Sequence, residues 1–153
     1  MAAPVVATIG VFDGVHLGHQ RLLRQAARDA GGTSSAALIT FDPHPRCVLD
    51  PSGCPPLLTT VEERAVLAEQ HDVRTTVAIN FTPELSTWSA DRFCDRLVAS
   101  LPLRRLIFGP GFALGKDRLG NEEFLREYGA AHGFDVCTVE RVLFAGERVS
   151  SGR

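Results

Sequence analysis

Between residues 4 and 41 the hydrophobic pattern changes period twice, and this alternation restricts the fold more than any other feature of the chain. Residues 4–9 (Pro-Val-Val-Ala-Thr-Ile) are apolar and β-branched without alternation, as a strand covered on both faces requires. Residues 16–30 then carry an apolar stripe at helical spacing through Leu22, Leu23 and Ala26, with Arg21, Arg24, Arg28 and Asp29 on the other face, and Gly31 ends it. Residues 36–41 (Ala-Ala-Leu-Ile-Thr-Phe) form a second buried-type run. Strand, crossover helix and strand make a βαβ unit, and two strands joined this way must be parallel.

The turn inside this unit is where chemistry concentrates. Residues 9–20 read Ile-Gly-Val-Phe-Asp-Gly-Val-His-Leu-Gly-His-Gln, placing two histidines in the first turn of the helix. Unpaired N–H groups and the helix dipole make such a start an anion site. His16 and His19 are three apart and share a face, and His19 leads into the stripe that packs on the sheet. The arrangement favours a phosphate site. Two alternatives stay open at this point. One is a metal site, although a stable one wants three or four ligands and no third is obvious nearby; the other is plain core packing of the imidazoles.

The remaining segments extend the same rhythm. Residues 42–60 hold Pro43, Pro45, Pro51, Pro55 and Pro56, five of the nine prolines, and predict a long ordered or semi-ordered loop leaving the ligand side of the sheet. Thr60-Val61-Glu62-Glu63 is a capping-box pattern opening a helix to about His71. A third strand is expected within 73–81, a helix over 90–100 capped by Ser89, and a fourth strand over 103–108 running into Gly109-Pro110-Gly111. A helix from Asn121 to His132 closed by Gly133, a fifth strand over 134–139 and a short extra strand over 142–144 complete the reading. Phe81, Trp88 and Phe93 read as core. The prediction is a Rossmann-like, doubly wound α/β sandwich with a five-stranded, mostly parallel sheet, in a single domain over 1–153.

Composition excludes several classes. With 44% hydrophobic and 22% charged residues in 153, the chain can build one ordinary globular core. A net charge of −2 offers no general attraction to nucleic acid or to a membrane surface. No apolar run is long enough to span a bilayer and no leader pattern stands at the start. Cys47, Cys54, Cys94 and Cys137 form no C-x-x-C pair and are expected to be reduced, mostly buried thiols of a cytoplasmic protein.

Four segments, in order along nearly the whole chain, resemble one family. Gly10-x-Phe12-Asp13-Gly14-x-His16-x-Gly18-His19 is similar to the H-x-G-H signature of adenylyl- and cytidylyltransferases. Taken with Gln20, it resembles more narrowly the FMN adenylyltransferase (FAD synthetase) module of bacterial bifunctional riboflavin kinase/FAD synthetase. Thr40-Phe41-Asp42-Pro43-His44-Pro45 resembles that module's T-F-[DE]-P-H-P. Phe112-x-Leu114-Gly115 with Arg118-x-Gly120, and Arg148-Val149-Ser150-Ser151-x-Arg153, resemble its two later segments. The chain departs from the pattern at Gly111, where Asp or Asn is usual, and at Gly152, where a hydroxyl is usual. It also ends about two residues before an arginine that the pattern contains, and a riboflavin kinase domain is expected to be absent from it.

The resemblance implies transfer of AMP from ATP to FMN, giving FAD and pyrophosphate. It implies His16 and His19 as catalytic donors to the triphosphate. Phe12, Asp13, Gly14, Gly18, Arg148, Ser150, Ser151 and Arg153 would line the ATP phosphates. Asp42, Pro43, His44 and Pro45 would form part of the flavin wall, and Arg118 is a surface residue within possible reach of phosphate. Mg2+ is expected to arrive on the ATP phosphates, with no metal site of the protein's own. The implied partners are ATP and FMN, with a riboflavin kinase domain in a longer parent chain. Two other readings stand beside this one: another H-x-G-H nucleotidyltransferase acting on a different phosphate, and a flavin- or nucleotide-binding remnant without turnover.

Overall fold

The computed structural model describes residues 4–12, 17–31, 34–54, 59–139, 143–144 and 147–148. Five parallel strands, β1 (Val5–Ile9), β2 (Ser35–Asp42), β3 (Thr75–Asn80), β4 (Leu103–Phe108) and β5 (Asp135–Thr138), form one sheet in the order β3-β2-β1-β4-β5. The expected five-stranded sheet is therefore present, and it is wholly parallel. Winding starts at the centre, runs outward through β2 and β3, then returns to β4 on the other side of β1. Right-handed crossovers then force the helices onto opposite faces for the two halves.

Burial confirms that division. Val6 packs in one apolar cluster with Leu22, Leu23 and Ala26 of α1 (Leu17–Ala30) and Ala68 of α3 (Val61–Glu69). Val5, Ala7 and Ile9, pointing the other way, pack with Phe93, Cys94 and Leu97 of α4 (Ala90–Ser100) and Leu125 and Tyr128 of α5 (Glu122–His132). A strand whose alternate residues enter two cores has no solvent face, which explains the unbroken apolar run at its origin. Phe93 is core, as expected, while Phe81 and Trp88 are only partly buried.

Local signals set the helix ends. Thr60 Oγ1 accepts from Glu63 N at 3.1 Å and Glu63 Oε1 accepts from Thr60 N at 2.9 Å, completing the capping box of α3. Ser89 and Asn121 cap α4 and α5, and Gly133, at φ 86°, ends α5 in the left-handed region. Inside α5, a Cβ on Gly129 would lie 2.5 Å from the carbonyl oxygen of Phe134. Gly129→Ala gains about 1 kcal/mol of helix propensity. The overlap with fixed backbone costs about 1–3 kcal/mol, so the urea midpoint is expected to fall; a higher midpoint would show that the contact relaxes.

Three expectations are corrected. Asp29 is not on the free outer face of α1: its carboxylate accepts from Arg105 Nη1 at 2.9 Å and from Gln25 Nε2 at 2.8 Å, because α1 crosses the sheet beside β4. The proline-rich loop contains α2 (Pro45–Leu49), started by a proline whose missing N–H costs a helix nothing at that position, followed by a 3-10 turn over Pro51–Gly53. That fold-back brings the Cα atoms of Cys47 and Cys54 to 4.3 Å, and the two are joined as a disulfide, contrary to the expectation of reduced, buried thiols. Cys94 and Cys137 are free, and burial pushes the Cys94 thiol up to about 12, with Asp91 and Asp95 adding to it. Alkylation of unreduced, denatured protein is thus expected to label two cysteines, and four after reduction; four without reductant would contradict the crosslink.

β6 (Leu143–Phe144) and β7 (Glu147–Arg148) form a separate antiparallel pair, so the short extra strand expected over 142–144 is found at Leu143–Phe144. Among the described residues no helix is long and apolar enough to cross a membrane.

Candidate active site

Because β1 has β2 on one side and β4 on the other, the crossovers diverge at its carboxyl end, and that divergence opens a crevice. Gly10, Val11 and Phe12 leave β1 there, and Gly18 and His19 stand in the first turn of α1. The same end of the sheet carries Asp42 to Pro45 after β2 and Gly109 to Gly111 after β4.

Phe12 is the pivot of this corner. Its backbone is left-handed, at φ 58°, and its side chain is 1% exposed. The ring folds back over Gly10, where a Cβ would come within 2.9 Å of it, so glycine is needed to let the turn close. The ring also stacks on the His19 imidazole, with centroids 4.5 Å apart and planes 27° from parallel. A half-buried imidazole at a helix start, held by an aromatic plate, is a hydrogen-bonding group with a fixed direction.

Beneath the corner lies Arg64, which sequence reasoning missed. Its guanidinium is 1% exposed. Nη1 donates to Val11 O at 3.0 Å, to Thr40 Oγ1 at 2.7 Å and to Phe41 O at 3.2 Å, while Thr40 Oγ1 donates to Val11 O at 2.5 Å. The available signal is positional: Arg64 sits four residues before Ala68, on the face of α3 that enters the core, so a cation interrupts a buried stripe.

The expected site residues distribute unevenly. Phe12 stacks on His19, and Gly18 precedes His19 in the first turn of α1, beyond the carboxyl end of β1. Asp42 lines a cavity of about 320 Å3 with Thr60 and Arg64, between the end of β2 and the start of α3. The Asp42–Pro43 bond is cis, and His44 caps α2, its Nδ1 accepting from Arg46 N at 3.0 Å. Arg118 Nη2 donates to Gly111 O at 2.7 Å, which folds that exposed loop onto itself. Arg148 contributes backbone to β7. Asp13, Gly14, His16, Ser150, Ser151 and Arg153, with Gly152, lie outside the described residues.

No cluster of three or more His, Cys, Asp or Glu side chains among the described residues has the geometry of a metal site. A larger groove, about 850 Å3, lies at the opposite, amino end of the sheet, lined by Arg24, Arg28, His71 and Arg74. It is remote from the crevice, and ligands of open parallel sheets bind at the carboxyl end.

A doubly wound parallel sheet with a histidine-bearing helix start at its switch point is the architecture of a nucleotide-handling domain. The family model described as FAD synthetase matches residues 1–153, and the chain belongs to that family. A bifunctional riboflavin kinase/FMN adenylyltransferase of Pseudomonas fluorescens is 38% identical over 150 residues, covering 95% of this chain and 47% of the relative. A putative bifunctional enzyme of the same description from Geobacillus thermodenitrificans is 38% identical over 155 residues, covering 97% of this chain and 79% of the relative. The counterpart from Listeria monocytogenes is 32% identical over 148 residues. This chain spans about half the length of several such relatives, at 47% of the Pseudomonas and Listeria proteins. In fold alone, a crystal structure described as a macrolide-efflux protein from Streptococcus pneumoniae superposes with a TM-score of 0.83 at 22% identity, over 100% of this chain and 51% of that one.

Proposed function

We propose that this chain transfers AMP from ATP to FMN, releasing pyrophosphate and forming FAD. The observation that carries the proposal is His19, held against Phe12 in the first turn of α1 at the switch point, in a chain that matches the family throughout. In the reaction an oxygen of the FMN phosphate attacks the α-phosphorus of ATP. The new Pα–O bond joins the two nucleotides, and the bond from Pα to the bridging oxygen breaks with its electron pair leaving on pyrophosphate. A phosphate monoester has its second pKa near 6, so roughly nine in ten are dianionic at pH 7 and the nucleophile needs no strong base. The site must instead position the two phosphates and neutralise charge on them.

His19, with His16, is assigned to donate hydrogen bonds to the triphosphate, while the α1 dipole adds to the attraction. Gly14 and Gly18 let backbone approach, and Asp13 holds the turn. Arg148, Ser150, Ser151 and Arg153 close on the phosphates from the far end of the chain. Asp42, Pro43, His44 and Pro45 wall the flavin beside the cavity at the end of β2. Mg2+ enters as part of the ATP substrate, because it keeps its waters and prefers phosphate oxygens to an all-protein cage. The reading places the reaction in the cytoplasm, where ATP is made and spent; the Cys47–Cys54 disulfide favours an oxidising setting, and the alkylation count discriminates. A riboflavin kinase domain in a longer parent chain would supply the FMN.

A nucleotide-binding module without turnover is the second reading. Gly111 favours it, since nothing lies within 4 Å of where its Cβ would be, leaving open space where the family resemblance expects a polar side chain. Incubating the protein with ATP, Mg2+ and FMN and resolving the flavins by chromatography separates the two. Adenylyl transfer yields FAD with equimolar pyrophosphate. Binding of ATP with neither product would contradict it.

A further inference from the structure

Arg64 has a feature that its position on a helix does not explain. Its guanidinium is always charged, yet among the described residues it has no carboxylate within ion-pair distance. The three hydrogen bonds it makes to described residues all run from one nitrogen, Nη1, to uncharged oxygens, and among those residues its Nε is buried without a partner. A buried cation whose acceptors among the described residues are neutral is costly, and a hydrophobic residue would serve packing better. The cost is therefore met for what the three oxygens do.

Those oxygens belong to two neighbouring strand ends. Val11 O lies one residue before Phe12, and Thr40 Oγ1 and Phe41 O close β2. Thr40 Oγ1 accepts from Arg64 and donates to Val11 O, so guanidinium, hydroxyl and carbonyl form a closed ring of hydrogen bonds. The ring fixes Val11 at the point where the chain turns into the left-handed conformation of Phe12, and Phe12 in turn fixes the plane of His19. The hydrogen bonds span 2.5–3.2 Å, and those from Arg64 to Thr40 and Phe41 are buried.

We propose that Arg64 is a positioning residue for AMP transfer: it pins the Val11–Phe12 turn so that Phe12 presents His19 to the nucleotide. The assignment rests on the role proposed above for His19. It needs no contact between Arg64 and substrate, and the 1% exposure of Arg64 is consistent with that.

The test uses the full chain and two readouts. Protons of an imidazole stacked on a phenyl ring resonate upfield, so the ring signals of His19, assigned by comparison with His19→Gln, report the stack without any turnover. In Arg64→Met those signals are expected to move to the positions of an unstacked histidine. The kcat for FAD formation is expected to fall by about 10–100-fold, with KM for FMN changed less than about twofold, because misplacing one donor affects the transition state more than binding. Arg64→Lys should recover most of both effects, since a single ammonium can donate to all three oxygens that Nη1 now serves. Should Arg64→Met fail to fold, Thr40→Val removes one link with nearly the same shape and is expected to move the His19 signals in the same direction. Unchanged His19 signals in a folded Arg64→Met or Thr40→Val protein overturn the inference. If the wild-type chain makes no FAD, the proposed function falls, yet the shift of the His19 signals still decides the role of Arg64.

Discussion

His19→Ala is expected to lower kcat for FAD formation by about 10²–10³-fold, the usual consequence of removing one preorganised donor from a developing charge. That corresponds to about 2.7–4 kcal/mol of transition-state stabilisation. The effect on folding is smaller. Alanine is the best helix former, and the stack on Phe12 contributes about 0.5–1.5 kcal/mol beyond its buried area. A domain of this size is stable by about 5–15 kcal/mol, so the variant should remain folded while losing nearly all turnover. Steady-state kinetics alongside thermal melting measures both quantities. His16→Ala is expected to move the same way, as the other histidine of the H-x-G-H pattern. A folded His19→Ala protein with wild-type turnover would remove the imidazole from the mechanism.

Phe12→Ala carries the largest expected cost in stability, about 3–5 kcal/mol, as for other fully buried aromatic side chains. Nothing offsets it. Alanine keeps a Cβ, so the left-handed strain at φ 58° remains while the contacts that offset it disappear. The ring also braces His19 and covers Gly10, so turnover should fall in whatever fraction stays folded. Phe12→Leu separates the two roles, because it keeps most of the volume. Its stability loss should stay below about 1.5 kcal/mol while the stack, and with it the rate, is still impaired. Urea unfolding gives the first number and initial rates the second. An unchanged urea midpoint in Phe12→Ala would mean that the corner is held by something other than this ring.

How much of this was legible from the sequence follows from which interactions are local. The strand-helix-strand rhythm, the capping box at Thr60 and the glycine stop at Gly133 each depend on residues within a few positions, and all appear where expected. The stripe of Leu22, Leu23 and Ala26 does too, because helical spacing alone decides what faces the sheet. What escaped the reading depends on distant partners. Asp29 looked solvated until Arg105, 76 residues away, was placed against it. Arg64 follows two glutamates in a helix's first turn and resembles a surface charge; its burial depends on the carbonyls of Val11 and Phe41, which sequence spacing does not bring near. The Cys47–Cys54 crosslink needed the unpredicted α2 turn. At the candidate site, the helix start that carries His19 was legible because the turn before it is short, whereas the stack of Phe12 on that ring was not. The site's flavin wall and distal phosphate contacts rest on family resemblance.

The most direct test of the central claim is a crystal structure with Mg2+ and a non-hydrolysable ATP analogue. The account predicts an imidazole nitrogen of His19 within about 2.7–3.1 Å of a phosphate oxygen, with the triphosphate seated over the first turn of α1. A triphosphate bound elsewhere, in the basic groove at the amino ends of the strands for instance, with the His19 ring left out of contact, would contradict it.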